Sequence, residues 1–232
     1  MSEKVSCKII LTEDGSPTVT SDRYGETYHS SHGAVQESNH VFLKSGLDYL
    51  VDAGKTRLKI FEMGFGTGLN VWLTSAKSRI GKISIDYHSI ELYPLGTNEI
   101  KAYGDVLGVE ELDDFWKIHE AEWDGNLNQL HAWFSLTKYE ASLLEFELPS
   151  NIDLLYYDAF SPDSQPELWT ADIFQNLFIA MNNGAVLVTY CCKGNVRRAM
   201  ISVGFRVERI PGPPGKREMI RATKPFTSEP NS

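Results

Sequence analysis

No apolar run in the sequence approaches the roughly 20 residues that cross a bilayer, which excludes a spanning helix of ordinary length. The opening MSEKVSCKII lacks the long apolar region and small-residue cleavage site of a secretory signal, so the chain reads as cytoplasmic, with no membrane partner. Cysteine is scarce. Cys7, Cys191 and Cys192 form no CxxC pair, so neither a disulfide framework nor a zinc site is expected. The six histidines show no ligand spacing, and no metal is expected. Internal repeats and low-complexity segments are absent. Positive charge is in deficit, with a formal net charge of -9, which at face value disfavours a nucleic-acid partner. The deficit is uneven. Gly184 to Lys224 holds nine Lys/Arg against two acids, or +7, and the rest of the chain carries -16. Such asymmetry marks either a basic surface for phosphates or ordinary solvated charge on terminal elements.

The 232 residues suffice for one domain with a small appendage. KIILTEDGSPTVTS reads as a hairpin turning at Glu13-Asp14-Gly15, and the apolar spacing from Gly33 to Leu50 reads as a helix. LKIFEM is a buried strand followed by the helix LNVWLTSAKS, and ISIDYHSIEL is the next strand. Pro94 is placed to open a helix running to about Val106, and Glu110 to Trp133 reads as helical. FSLTKYEA and IDLLYYDAF are strands, Thr170 to Met181 a helix, AVLVTYC a strand and VRRAMISVGF a helix. FRVERI and REMIRAT close the chain as a hairpin. Alternating strands and helices predict an α/β fold with a doubly wound, mainly parallel sheet, flanked by N-terminal and C-terminal β-hairpins.

The segment IFEMGFGTGLN joins the first strand of this unit to its helix. That is where a doubly wound sheet binds its ligand. Gly64, Gly66 and Gly68 permit positive φ angles and close backbone approach. Their GxGxG spacing departs from the dinucleotide GxGxxG, since Leu69 stands at the third glycine's place. A nucleoside ligand without phosphates is therefore favoured over a pyrophosphate. Glu91 ends the next strand, where an acid accepts both ribose hydroxyls. Glu62, before the loop, is placed to hold the loop backbone or a ligand ammonium. In YYDAFSPDSQPELW a strand ends at Asp158, which a parallel sheet aims into the same crevice. An acid there can bind a substrate amine or adjust its protonation, or simply cap the loop. Asp163 reads as a solvated loop residue.

Four stretches, GFGTGLN, DAFSPDSQPELW, TYCCKGNVRRAM and GFRVERIPGPPGKREM, together with the entry segment SSHGAVQESNHVFL, resemble the methyltransferase domain of the MnmC-type bifunctional tRNA 5-methylaminomethyl-2-thiouridine biosynthesis proteins. The resemblance runs over nearly the whole chain. It implies a class I, Rossmann-like methyltransferase fold, which the order of elements sets at 51–224, with a hairpin-and-helix appendage at 1–50 and a flexible tail at 225–232. It further implies S-adenosylmethionine as methyl donor and S-adenosylhomocysteine as product, without FAD or metal. The acceptor would be the aminomethyl nitrogen at carbon 5 of a tRNA wobble uridine. Carried onto this sequence, the cofactor set is Glu62, Gly64, Phe65, Gly66, Thr67, Gly68, Asn70, Glu91, Asp158 and Ala159, with Asp158 also catalytic. Glu140-Ala141 stands where relatives often show Gly-Asp, so the acid that reads the adenine is Glu140 or absent. Lys193, Arg197, Arg198, Lys216 and Arg217 would grip phosphates of the anticodon stem-loop. Tyr28, Tyr157, Phe160 and Trp169 are candidate stacking partners for a splayed base, each weighed against a place in the core. A separate oxidoreductase acting in trans is implied for any carboxymethyl precursor, unless that step is bypassed. A small-molecule amine methyltransferase, an aminopropyl transferase and a non-catalytic nucleic-acid-binding subunit are the competing readings.

Overall fold

The computed structural model describes residues 7–110 and 113–226. Strands β1 (Cys7–Leu11), β2 (Pro17–Ser21) and β3 (Glu26–Thr27) form a small antiparallel sheet. The turn between β1 and β2 carries Gly15 at φ 82, as its sequence suggests. Helix α1 (Ala34–Ser38) runs through a π-helical segment (Asn39–Asp48) into α2 (Tyr49–Asp52). At Gly46 a Cβ would stand 3.1 Å from both Leu154 Cδ1 and Val188 Cγ2, so this helix lies directly on the sheet.

The main sheet continues with β4 (Arg57–Met63), β5 (Ser84–Glu91), β6 (Asp124–His131), β7 (Phe134–Glu140), β8 (Ile152–Tyr157), β9 (Met181–Thr189), β10 (Arg206–Pro211) and β11 (Glu218–Thr223). Its order is β10-β11-β9-β8-β4-β5-β7-β6, with β9, β8, β4, β5 and β7 mutually parallel. The closing hairpin enters antiparallel, with β11 between β9 and β10. Helices α3 (Leu69–Gly81), α4 (Thr97–Leu107), α5 (Asp114–Glu120), α6 (Ala171–Ala180) and α7 (Gly194–Ser202) make the crossovers.

The period-2 alternation of β8 divides the core in two. Leu154 and Tyr156 face Phe42, Leu47 and Val71, and Leu155 and Tyr157 face Phe174, Leu177 and Met200. Leu154 to Tyr157 are all fully buried, which is why this part of the strand reads as an apolar run. Burial of each such side chain contributes about 1.5–3 kcal/mol.

Two element expectations need correction. Among its described residues, the stretch expected to be helical from Glu110 to Trp133 gives only the short α5, and Asp124–His131 is instead the edge strand β6. Gly125 takes φ 76 and the pairing with β7 shifts register twice, so the strand lacks a clean alternating signature. Its polar residues suit an edge that one neighbour leaves unpaired. Pro94 does not open α4, which begins at Thr97 with Gly96 as its cap. Of the tail expected at 225–232, residues 227–232 lie outside the described residues.

The winding of the sheet reverses at β4, although its strands there stay parallel. The path leaves through α3 to β5 on one side and returns to β8 on the other. Such a switch point leaves a crevice at the carboxyl ends of the strands.

Candidate active site

A cavity of about 490 Å³ opens at that crevice, a volume suited to a nucleoside-sized ligand. Its floor is the glycine loop. Gly64 takes φ 91, and a Cβ there would stand 2.6 Å from the Asp158 carbonyl oxygen. Gly66 takes φ 53, and a Cβ there would stand 2.8 Å from Tyr28 Cδ1. Both positions therefore demand glycine twice over, for conformation and for space. Glu91, at the end of β5, accepts the Gly66 N–H at 3.2 Å and the Tyr93 N–H at 3.0 Å. Burial raises its carboxyl above the ordinary range.

Asp158 follows β8 directly. Its N–H donates to the Met63 carbonyl at 2.9 Å, which keeps it against the end of β4. Its side chain accepts the Asn70 amide at 3.0 Å. Asn70 belongs to the first turn of α3 and is buried, so the glycine loop and the catalytic candidate are fixed to one another. Burial, then the nearby Glu37 charge, push the Asp158 carboxyl up to about 8.

The cavity wall includes Gly64, Phe65, Gly66, Asn70, Glu91, Asp158, Ala159 and Phe160, all expected there. Thr67 and Gly68 lie behind it. The Thr67 carbonyl accepts the His119 Nε2–H at 3.2 Å, and Gly68 caps α3. Glu62 needs correction. It is fully buried beneath the loop, outside the cavity wall, and accepts the Ser89 hydroxyl at 2.6 Å in place of a ligand ammonium. Burial pushes its carboxyl up to about 8. Glu140 also needs correction. It is exposed at the end of β7, and Ala141, Ser142 and Leu143 form the wall there.

The aromatic expectations divide. Phe160 lines the mouth with its ring centroid 4.5 Å from that of Tyr24 and 5.2 Å from that of Tyr28. Trp169 is core and not a stacking surface, at 4% exposure. Its indole N–H donates to the Phe160 carbonyl at 2.9 Å, and the Gln165 side chain accepts the Phe160 N–H at 3.0 Å. The SPDSQPELW segment thus presents Phe160 and hides Trp169. Tyr157 is fully buried and donates its hydroxyl to the Leu168 carbonyl.

The basic residues divide as well. Lys216 turns into the cavity and ion-pairs with Glu37 at 2.6 Å. Lys193 pairs with Asp163 at 2.5 Å, so Asp163 is exposed but partnered. Arg209 and Arg221 pair with Glu218 and Glu208. Among the described residues Arg197, Arg198 and Arg217 form no ion pair, and Arg198 and Arg217 are exposed. Also among the described residues, no cluster of His, Cys, Asp or Glu has the arrangement of a metal site, and no helix is long and apolar enough to cross a membrane.

Several wall residues carry no sequence signal. Glu26 accepts Ser161 N–H at 3.2 Å, Ser161 Oγ at 2.5 Å and Ser164 Oγ at 2.6 Å, tying the N-terminal sheet over the loop after β8. Glu37 and Tyr190 reach the cavity from α1 and from just beyond β9. Lys138, outside the cavity wall, is fully buried beside Phe65, and its ammonium donates to the Ile118 carbonyl at 2.9 Å under the Trp123 ring. No spacing in the sequence brings these together.

The glycine cradle, the Glu91 carboxylate and the buried, unpartnered Asn70 Oδ1 fit an adenosyl ligand with an amino-acid tail. Comparison with known proteins agrees. A family described as S-adenosyl-L-methionine-dependent methyltransferase matches residues 109–225. The "tRNA 5-methylaminomethyl-2-thiouridine biosynthesis bifunctional protein MnmC" of Ralstonia nicotianae is 33% identical over 93% of this chain and 34% of its own length. The protein of the same name from Cupriavidus metallidurans is 31% identical over 92% of this chain and 33% of its own. The chain thus spans about a third of the length of these curated relatives. Among solved structures, MNMC2 from Aquifex aeolicus shares the fold with TM-score 0.75 and 24% identity, over 100% of this chain and 74% of that one. A spermidine synthase from Thermotoga maritima shares it with TM-score 0.59 and 12% identity, over 98% and 72%. The matching stretch takes in half of the sequence, including Asp158 and the whole closing hairpin, and the chain belongs to the S-adenosyl-L-methionine-dependent methyltransferase family.

Proposed function

We propose that this chain N-methylates the 5-aminomethyl group of the wobble (2-thio)uridine in tRNA, giving the 5-methylaminomethyl nucleoside. The observation that carries this reading is Asp158, held by Asn70 at 3.0 Å in a cavity floored by Gly64 and Gly66 and rimmed by Phe160. The names of the curated relatives supply the substrate class.

S-adenosylmethionine, when bound, supplies an electrophilic methyl group on a sulfonium. Gly64, Phe65, Gly66, Asn70 and Glu91 would hold it. The acceptor is an alkylamine whose reference pKa is about 10, like that of lysine, and only its neutral form attacks. Asp158 orients the ammonium and receives its proton. A carboxyl pushed up to about 8 is well matched to that transfer near neutral pH. Most of the acceleration comes from alignment, since well-oriented reactants gain up to about 7–11 kcal/mol. Displacement at a sulfonium methyl calls on neither metal nor flavin. Phe160, with Tyr24 and Tyr28 behind it, gives the extruded base an aromatic face. Arg197, Arg198 and Arg217 would hold phosphates of the anticodon stem-loop. A separate oxidoreductase acting in trans would prepare the amine where the precursor is carboxymethylated. This reading is of a cytoplasmic enzyme.

Incubation with labelled cofactor and hypomodified tRNA, with free polyamines as competing acceptors, tests the reading. Label in the RNA supports it. Label only in the polyamine points to a small-molecule amine transferase.

A further inference from the structure

The turn between β10 and β11 carries one lysine over the cavity. The Lys216 ammonium stands 2.6 Å from Glu37 Oε1 and 4.0 Å from the centroid of the Tyr190 ring. Glu37 is buried, and its second oxygen accepts the Ser30 N–H at 2.7 Å. The Tyr190 hydroxyl donates to the Ala159 carbonyl at 2.9 Å, which fixes the ring beside Asp158. All four side chains line one cavity. A primary ammonium on a four-carbon stem is thus seated on an aromatic face and a carboxylate, with the Asp158 carboxyl on the same wall.

An aromatic face flanked by carboxylates is the chemistry that receives an alkylammonium. We infer that Glu37, Tyr190 and Asp158 form the receptor for the acceptor's ammonium, and that Lys216 fills it as an internal stand-in until the acceptor displaces it. The inference rests on the proposed reading only in taking the acceptor to be a primary amine. The buried Glu37 carboxylate, with the Asp158 carboxyl on the same cavity wall, calls for a counter-cation. The lysine supplies that cation while the receptor is empty. Its flexible stem can swing outward without movement of the turn.

Calorimetric titration of 5-(aminomethyl)uracil and its neutral analogue 5-(hydroxymethyl)uracil into protein loaded with S-adenosylhomocysteine tests this. Lys216→Met is expected to bind the amine about fivefold tighter than wild type, the scale of one cation–π contact. The hydroxymethyl compound should bind both proteins alike. Lys216→Arg, which keeps a cation, should gain nothing, and adding Glu37→Gln to Lys216→Met should abolish the gain. Unchanged or weaker amine binding by Lys216→Met, or an equal change for both compounds, overturns the inference and leaves Lys216 as a tie between the hairpin and α1. A measurement on the unsubstituted protein stands beside the variants. With carbon-13-labelled lysine, saturating amine should shift the Lys216 side-chain resonance, and an unmoved resonance overturns the inference. If this pattern holds while tRNA is not methylated, the receptor stands and serves another primary amine. If tRNA is methylated and the pattern fails, the stand-in falls and the function remains.

Discussion

The Asn70 side-chain amide donates to the Asp158 carboxylate at 3.0 Å, joining the first turn of α3 to the end of β8. These residues are 88 positions apart. The bond ties the glycine loop's helix to Asp158, as the proposed catalysis by alignment requires. Asn70→Ala is expected to leave the fold intact and lower kcat by about tenfold, the scale of one misaligned charged hydrogen bond. Asn70→Asp should do worse, since it sets a second carboxylate against Asp158. Single-turnover rates at saturating cofactor measure both.

Asp158→Ala should keep cofactor affinity and lose about 10²–10⁴-fold in kcat, the usual contribution of a positioned acid or base. Calorimetry with S-adenosylhomocysteine and methyl-transfer rates on the same preparation separate the two effects. Near wild-type turnover would remove Asp158 from the chemistry.

Gly66→Val should lose cofactor affinity by tenfold or more, on the order of 1–2 kcal/mol, from left-handed strain alone. Contact with Tyr28 adds to this, since the new Cβ would stand 2.8 Å from its ring. The variant should still fold, because the cavity side of Gly66 is not part of the core. Unchanged affinity in a folded variant would contradict the cradle.

Two acids are expected to shape the pH dependence. Methyl transfer should rise as pH climbs through about 8, because the Asp158 carboxyl ionises there and the acceptor amine also loses its proton. Stability should move the other way. Glu62 titrates at about 8 when folded and near 4.5 when unfolded, so the folded chain holds the extra proton between those values. Its contribution is fully present below pH 4.5 and is lost as pH rises toward 8, at no more than about 1.4 kcal/mol per pH unit. Glu62→Gln should flatten that decline in denaturant titrations across the range.

Neutralising Arg198 and Arg217 should weaken tRNA binding and flatten the slope of log affinity against log salt, by about 0.7 for each single-strand phosphate that no longer meets a cation. Cofactor affinity should not change. An unchanged slope would leave these arginines as solvated surface.

Much of the site follows from local sequence. GFGTGLN falls between a strand and a helix, and its glycines take positive φ, Gly64 and Gly66 in a space where a Cβ would meet Asp158 or Tyr28. Asp158 falls at a strand's end because it follows the apolar, fully buried run Leu154 to Tyr157. Residues whose role is fixed across the fold escaped that reading. Trp169 sits within two residues of Glu167, which lines the cavity, yet its indole is used to hold Phe160 and is buried. Glu37 and Tyr190 lie far apart in sequence and meet only because α1 and β9 converge on one cavity. Most cations of the +7 segment are answered locally or by Glu37 and Asp163, pairings that a charge count along the sequence does not show. The edge strand β6 was hidden by its polarity and its bulges.

Mass spectrometry of wobble nucleosides tests the central claim most directly. Hypomodified tRNA carrying 5-aminomethyl-2-thiouridine is incubated with the protein and a deuterated-methyl cofactor, beside an Asp158→Ala control. The expected result is the 5-methylaminomethyl nucleoside bearing the label, formed by the wild type and absent from the control. Recovery of unlabelled 5-aminomethyl-2-thiouridine from a protein that binds cofactor would contradict the claim.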